Sequence, residues 1–233
     1  MLTLAIDTCG PTGSVALARI MEASDSGSAA IELLSQRELA GRSYSTTLTT
    51  AVDELLSEAQ FSMAQIQAMV IVNGPGSFTG VRVGLSTVKG LAEPMQTPVA
   101  TVSRLAVLAH KACTRFAALD AHRGEVFLQI EAKEQGDGIR EILAGKDELA
   151  MLAQPTDTIA VCDECAGVML KASWPDVKLT RVPAPSAYDA LQLAGTQVLT
   201  ANFVNLVLLD GHYLRRSDAE IFGEKAAAVP GQQ

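Results

Sequence analysis

The chain has 233 residues, 48% hydrophobic and 19% charged, enough apolar material to bury a core in one large domain or two small lobes and too much for a disordered polymer. Eighteen basic against twenty-six acidic side chains leave a formal charge of −8, which disfavours independent binding to a phosphate backbone, and 4% aromatic content leaves little for a base-stacking platform. No run reaches the roughly 18 uncharged apolar residues of a membrane span and the first residues show no basic leader, so neither an anchor nor a signal peptide is expected, and the cytoplasm is the expected compartment.

Residues 1–7 read as a strand that delivers Asp7 to its C-terminal end, where ligands gather in open α/β folds. The turn Gly10-Pro11-Thr12-Gly13-Ser14 follows, then a second strand, SVALARI. Asp7 is either a ligand-facing carboxylate or the cap of that turn. Residues 21–29 read as a loop and 30–39 as a third strand, giving a meander. Over 43–60, Leu48, Val52, Leu55 and Ala59 recur at helical spacing. The flank of Thr47, Thr50, Ala51 and Glu54 is small and polar, which suits close approach of a second helix; an ordinary surface helix burying one stripe fits the periodicity as well.

The stretch 66–92, IQAMVIVNGPGSFTGVRVGLSTVKGLA, carries the most information. AMVIVN is a buried strand, Asn73-Gly74-Pro75-Gly76-Ser77 a tight turn, and a helix begins near Ser77 to Thr79 with either hydroxyl able to cap it. Gly80, Gly84 and Gly90 each disfavour that helix by about 1 kcal/mol relative to alanine, so something must offset them. With Thr87 they leave one face nearly bare, open to another helix or a ligand. The glycine turn is either a plain strand-to-helix connection or a cradle whose amides attract an anion. It is neither a P-loop, since no Gly-Lys-Ser/Thr follows and Arg82 lies one turn into the helix, nor a dinucleotide fingerprint, whose third glycine is misplaced by one.

After a break at Thr97-Pro98-Val99 and a short strand, residues 103–114 read as a helix, and 115–121 and 125–132 as a hairpin turning at Arg123-Gly124. Asp120, His122, Arg123 and Glu125 read as a solvated tip more readily than as an acid-base cluster, for no nucleophile accompanies them. Residues 135–138 read as a turn, 146–152 as a short helix, 158–162 as a strand and 188–201 as the last long helix. Cys9, Cys113, Cys162 and Cys165 are too scattered for a disulfide framework. The pair Cys162-x-x-Cys165 lacks the further ligands of a zinc site, and Asp163 and Glu164 would raise the thiol pKa values and weaken a redox pair. His110, His122 and His212 fall in separate elements, so no catalytic metal centre is expected. Arg215 and Arg216 form the best basic pair, suited to a carboxylate or phosphate or simply solvated.

NGPGSFTGVRVGLSTVKGLA closely resembles the signature of the bacterial TsaB family, the non-catalytic subunit for making threonylcarbamoyladenosine in tRNA. LAIDTCGPTGSVAL, ALDAHRGEVF and HYLRRSDAE match it too, extending the resemblance to about residue 220. It implies a two-lobed actin-like, sugar-kinase-like (ASKHA) α/β fold, each lobe a mixed sheet with flanking helices. Residues 1–101 would form the N-terminal lobe and 102–204 the C-terminal lobe, with 205–222 returning to the first and a disordered tail at 224–233.

The same resemblance implies a scaffold and activator with no catalytic residues and no bound metal. TsaD-like catalytic subunits carry two metal-ligating histidines where this chain reads GRSYSTTL. The two helices would pair with a TsaD-type paralogue in a four-helix arrangement, through Thr47, Leu48, Ala51, Val52 and Leu55 on one and Gly80, Val81, Gly84, Leu85, Thr87 and Val88 on the other. A TsaE-type ATPase is the other implied partner, a homodimer forms when the chain is alone, and tRNA is reached only through the complex, with no membrane. No cofactor is required; weak ATP or ADP binding would fall on Asp7, Thr8, Ser14, Gly74, Gly76 and Ser77. The CDEC stretch departs from the family's glycine-containing turn. The rival readings are a freestanding ATP-dependent small-molecule kinase of this fold and a thiol-redox protein using Cys162 and Cys165.

Overall fold

Strand β1 (Leu2–Asp7) is buried from end to end, its polar Thr3 and Asp7 included. It pairs antiparallel with β2 (Thr12–Glu22), which pairs antiparallel with β3 (Ala29–Ala40). On its other side lie β4 (Ala68–Val72) and then β5 (Val99–Val102), both parallel, giving the order β3-β2-β1-β4-β5. Parallel neighbours need crossovers, and helices α1 (Tyr44–Glu58) and α2 (Phe78–Met95) supply them. The structure, a computed structural model, describes residues 1–23, 29–41, 43–132 and 138–214.

The second sheet repeats the first. Strands β6 (Phe116–His122), β7 (Glu125–Glu131) and β8 (Ile139–Gly145) form an antiparallel meander, and β9 (Ile159–Val161) and β10 (Leu179–Arg181) add in parallel, in the order β8-β7-β6-β9-β10. Helices α4 (Lys146–Met151) and α5 (Glu164–Ser173) take the places of α1 and α2, and α3 (Arg104–Lys111) links the two sheets. Two lobes built on one plan are the actin-like, sugar-kinase-like α/β architecture. Strands β8 and β10 carry no clear signal in the sequence because they are half-exposed sheet edges, one with polar residues at its start and the other three residues long.

The last helix, α6 (Ala187–Leu199), corrects the expected lobe boundary at 102–204. Ala187, Ala190, Leu191, Ala194 and Val198 belong to the core of the first lobe, and Gly195 sits so close to β3 that a Cβ would stand 2.7 Å from Ala29 Cβ. Periodicity shows which face of a helix turns inward, not which sheet receives it. Beyond α6 the chain returns to the first lobe: Val204 bridges Val99, and the His212 N–H donates to the Asn73 carbonyl. Arg42, the turn at 135–137, Arg215, Arg216, the end of the 205–222 return and the tail at 224–233 lie outside the described residues.

Candidate functional site

Two features converge at one end of the first sheet. The crevice beyond the C-terminal ends of β1 and β4 is where an open α/β sheet ordinarily takes a ligand. Asp7, Thr8, Ser14, Gly74, Gly76 and Ser77 all lie at this end of the sheet, and the hydrogen bonds of Asp7, Thr8, Ser14 and Ser77 are made inside the chain. Asp7 Oδ1 accepts from the Cys9 N–H at 2.8 Å, so Asp7 does cap its turn. Thr8 Oγ1 donates to the Gly80 carbonyl at 2.7 Å, and Ser14 Oγ accepts from the Ala187 N–H at 2.8 Å. Ser77 N–H donates to the Cys9 carbonyl at 2.8 Å, and its hydroxyl, not that of Thr79, caps α2 by accepting from Gly80 N–H. Gly74, at φ +116°, holds a conformation that favours glycine, and Gly76 lies so near Cys9 that a Cβ would be 2.3 Å from its carbonyl oxygen.

Two residues that no sequence motif singles out fill the remaining space. The Arg104 side chain, 7% exposed, reaches from the start of α3 to within 3.8 Å of Asp7 Oδ2, and its backbone N–H donates to the Gly74 carbonyl. Tyr44 donates its hydroxyl proton to the Gly10 carbonyl at 2.8 Å and lays its ring against Gly13. Asp7 Oδ2 and Arg104 Nε are both buried without a hydrogen-bond partner. Burial pushes the Asp7 carboxyl up despite the guanidinium, which acts the other way, and pushes the Tyr44 phenol up to about 12. One signal did mark Arg104: a cation in the first turn of a helix opposes the macrodipole.

The second feature is the helix pair, where α1 and α2 cross the same face of the sheet side by side. Leu48, Ala51, Val52, Leu55, Gly80, Val81, Gly84, Leu85 and Val88 are buried within the chain itself, and only Thr47 and Thr87 of the expected docking residues keep partial exposure. The bare glycine face turns inward: a Cβ on Gly80 would meet the Thr8 carbonyl oxygen at 2.0 Å, and one on Gly84 would meet Thr8 Oγ1 at 2.4 Å. What faces outward is the adjoining row, Ser45, Thr46, Thr49, Thr50 and Asp53 on α1 with Thr79, Arg82, Ser86 and Gly90 on α2. Apart from Arg82 and Asp53 that row is also small and uncharged, and a Cβ added at Gly90 would meet nothing within 4 Å. Arg37, bonded to Glu54 and Glu58, closes one flank.

The C-terminal segment is latched to both lobes. Glu141 on β8 accepts from Ser103 Oγ with one oxygen and meets His212 Nε2 at 2.9 Å with the other. That carboxylate raises the His212 pKa above 6.5, outweighing partial burial. Its stabilisation is therefore fully present below pH 6.5 and fades as the pH climbs through the raised value. His212→Gln is expected to lower the melting temperature most below pH 6.5 and progressively less at alkaline pH; with a 39% exposed side chain the effect stays within about 1 kcal/mol.

All four cysteines are free. Burial, with Asp163 adding to it, pushes the Cys162 thiol up, the opposite of an activated thiolate. Asp163 caps α5 through the Ala166 N–H and also accepts from the Asp120 N–H, while the Asp120 carboxylate accepts from the His122 N–H. That cluster shapes a turn, with the His122 side chain 85% exposed.

The family model described as TsaD: tRNA N6-adenosine threonylcarbamoyltransferase matches residues 30–157, more than half of the chain. A protein from Haemophilus influenzae, the tRNA threonylcarbamoyladenosine biosynthesis protein TsaB, is 27% identical over 194 residues, covering 76% of this chain and 82% of its own. The Escherichia coli protein of the same description is 38% identical over 96 residues, 39% of this chain and 42% of its own length. Among solved structures, YeaZ from Pseudomonas aeruginosa superposes with a TM-score of 0.70 at 29% identity, over 91% of this chain and 99% of that one.

Proposed function

This chain belongs to the TsaB/YeaZ family of tRNA threonylcarbamoyladenosine biosynthesis proteins, and from that premise we propose that it is the scaffold and activator subunit of the modifying complex. It docks a TsaD-type catalytic paralogue on the outer faces of α1 and α2. The observation that carries this reading is the exposed row of Thr46, Thr50, Ser86 and Gly90, where short side chains allow two helix pairs to approach closely. The filled crevice supports a non-catalytic role: with Arg104 and Tyr44 in place, ATP or ADP binds weakly at best near Asp7. A TsaE-type ATPase joins the same assembly, the partner holds the tRNA because a chain of charge −8 does not, and the cytoplasm is the compartment. Without its paralogue the chain pairs with itself through the same faces, an isologous contact.

Co-expression with the paralogue from the same source, followed by size exclusion, tests the reading. The wild type is expected to elute as a heteromer, and Gly90→Trp, which projects an indole into the docking face without touching the chain's own core, as the separate subunits. An unchanged heteromer for the variant would move the interface elsewhere. Calorimetric titration with ATP and magnesium separates this role from a freestanding kinase: tight binding with turnover by the isolated chain would favour the enzyme.

A further inference from the structure

Arg82 stands on the outer face of α2, one helical step from Ser86 and two from Gly90, and among the described residues no carboxylate pairs with it. Its guanidinium carbon lies 3.7 Å from the centre of the Phe78 ring and 5.9 Å from that of Tyr213. The two rings meet at 5.1 Å with a 51° tilt, and each residue stays 37% exposed. Tyr213 is brought there by the C-terminal segment. His212 is tied to Asn73 and Glu141, and Gly211 leaves room for the ring to fold back, since a Cβ there would stand 2.5 Å from Tyr213 Cζ.

A surface arginine is normally solvated and mobile. This one is stacked before any partner arrives, so little further side-chain freedom is lost when it engages one. A guanidinium placed over a ring face uses none of its N–H donors there, so they stay available for the fork geometry that meets a carboxylate with two parallel hydrogen bonds. Aromatic and arginine side chains together are also the residue types that dominate protein interfaces. The net charge of −8 repels a long phosphate backbone but places no bar on one carboxylate brought up by a docked protein.

We infer that Arg82, held over Phe78 beside Tyr213, receives a carboxylate from the protein that docks on α1 and α2. This rests on the docking reading above and adds to it the chemistry of the partner's matching group. The anchor has a second consequence: it couples the C-terminal segment, through Tyr213, to the strength of docking.

Titration calorimetry of the purified chain against the co-purified paralogue tests it, with melting temperatures recorded for each variant. Arg82→Glu is expected to weaken association by about 30-fold or more, the size of an interface hot spot. Arg82→Lys keeps the charge without the fork and is expected to lose about tenfold. Phe78→Ala, which frees the guanidinium, should fall between wild type and Arg82→Glu. If Arg82→Glu does not fold, Arg82→Gln keeps the stem on the ring and carries the same readout. Binding of Arg82→Glu within twofold of wild type, while Gly90→Trp abolishes association, overturns the anchor and leaves the docking face standing. Wild-type binding by Gly90→Trp overturns both. An intact Arg82→Glu heteromer that only loses its hold on tRNA makes the ligand a phosphate and also overturns the inference.

Discussion

Alanine at Gly90 is expected to stabilise the chain by up to about 1 kcal/mol, whereas alanine at Gly80 or Gly84 in the same helix is expected to destabilise it by about 2–3 kcal/mol. All three substitutions gain the same helix propensity; space decides the sign. Nothing lies within 4 Å of a Cβ on Gly90, so the gain from a less flexible unfolded chain is kept. At Gly80 the added carbon would stand 2.0 Å from a backbone oxygen, Thr8 C=O, which cannot swing aside as a side-chain end can. The clash would also push α2 off Thr8, whose hydroxyl donates to the Gly80 carbonyl inside the core. At Gly84 the obstacles are Thr8 Oγ1 at 2.4 Å and Ile71 Cδ1 at 3.2 Å. Urea denaturation checks this: the midpoint should rise for Gly90→Ala and fall for the other two, at constant slope. A higher midpoint for Gly80→Ala would mean that α2 does not lie against β1 as described. For the same reason Gly84→Trp is no probe of docking, because it would disrupt the first lobe.

Arg104→Ala is expected to destabilise the chain by about 3–5 kcal/mol at neutral pH, by stranding Asp7 in the core. The carboxyl already has a raised pKa with the guanidinium beside it, and without that cation it rises further. A carboxyl with a higher pKa folded than unfolded binds more protons folded, so stability falls as the pH rises from its unfolded value, 3.8, through the folded one. The deficit of Arg104→Ala relative to wild type should therefore shrink on acidification as Asp7 takes up its proton. Pairing Asp7→Asn, which keeps the acceptor for the Cys9 N–H, with Arg104→Met should recover most of the loss, because neither charge then remains buried alone. A pH-independent deficit, or no recovery in the double variant, would show that Arg104 acts through packing instead.

Much of the architecture was legible in one dimension. The meander at 1–39, the amphipathic helix near 43–60 and the strand, glycine turn and helix of 66–92 each carry a local periodicity or turn chemistry that holds wherever the segment is placed. The half-exposed edge strands β8 and β10 were not legible, because a segment with one neighbour and one wet side has neither a continuous apolar run nor a clean alternation.

The site divided along the same line. Asp7, Thr8, Ser14 and the Gly74–Ser77 turn lie at one end of the first sheet, where hydrogen bonds to Cys9, Gly80 and Ala187 turn them inward. Of the residues expected to dock a partner, all but Thr47 and Thr87 are buried within the chain, and a neighbouring row of α1 and α2 faces outward. A stripe of small residues signals close approach without saying to what, and here the nearer surface was the chain's own Thr8. The sequence by itself determined the order and type of the long elements and the places where backbones come close, since those follow from local sterics and burial. Which sheet α6 covers, that Arg104 and Tyr44 fill the crevice, and that Phe78, Arg82 and Tyr213 meet were decided by the tertiary structure alone, because each joins residues far apart in the chain whose proximity no local pattern encodes.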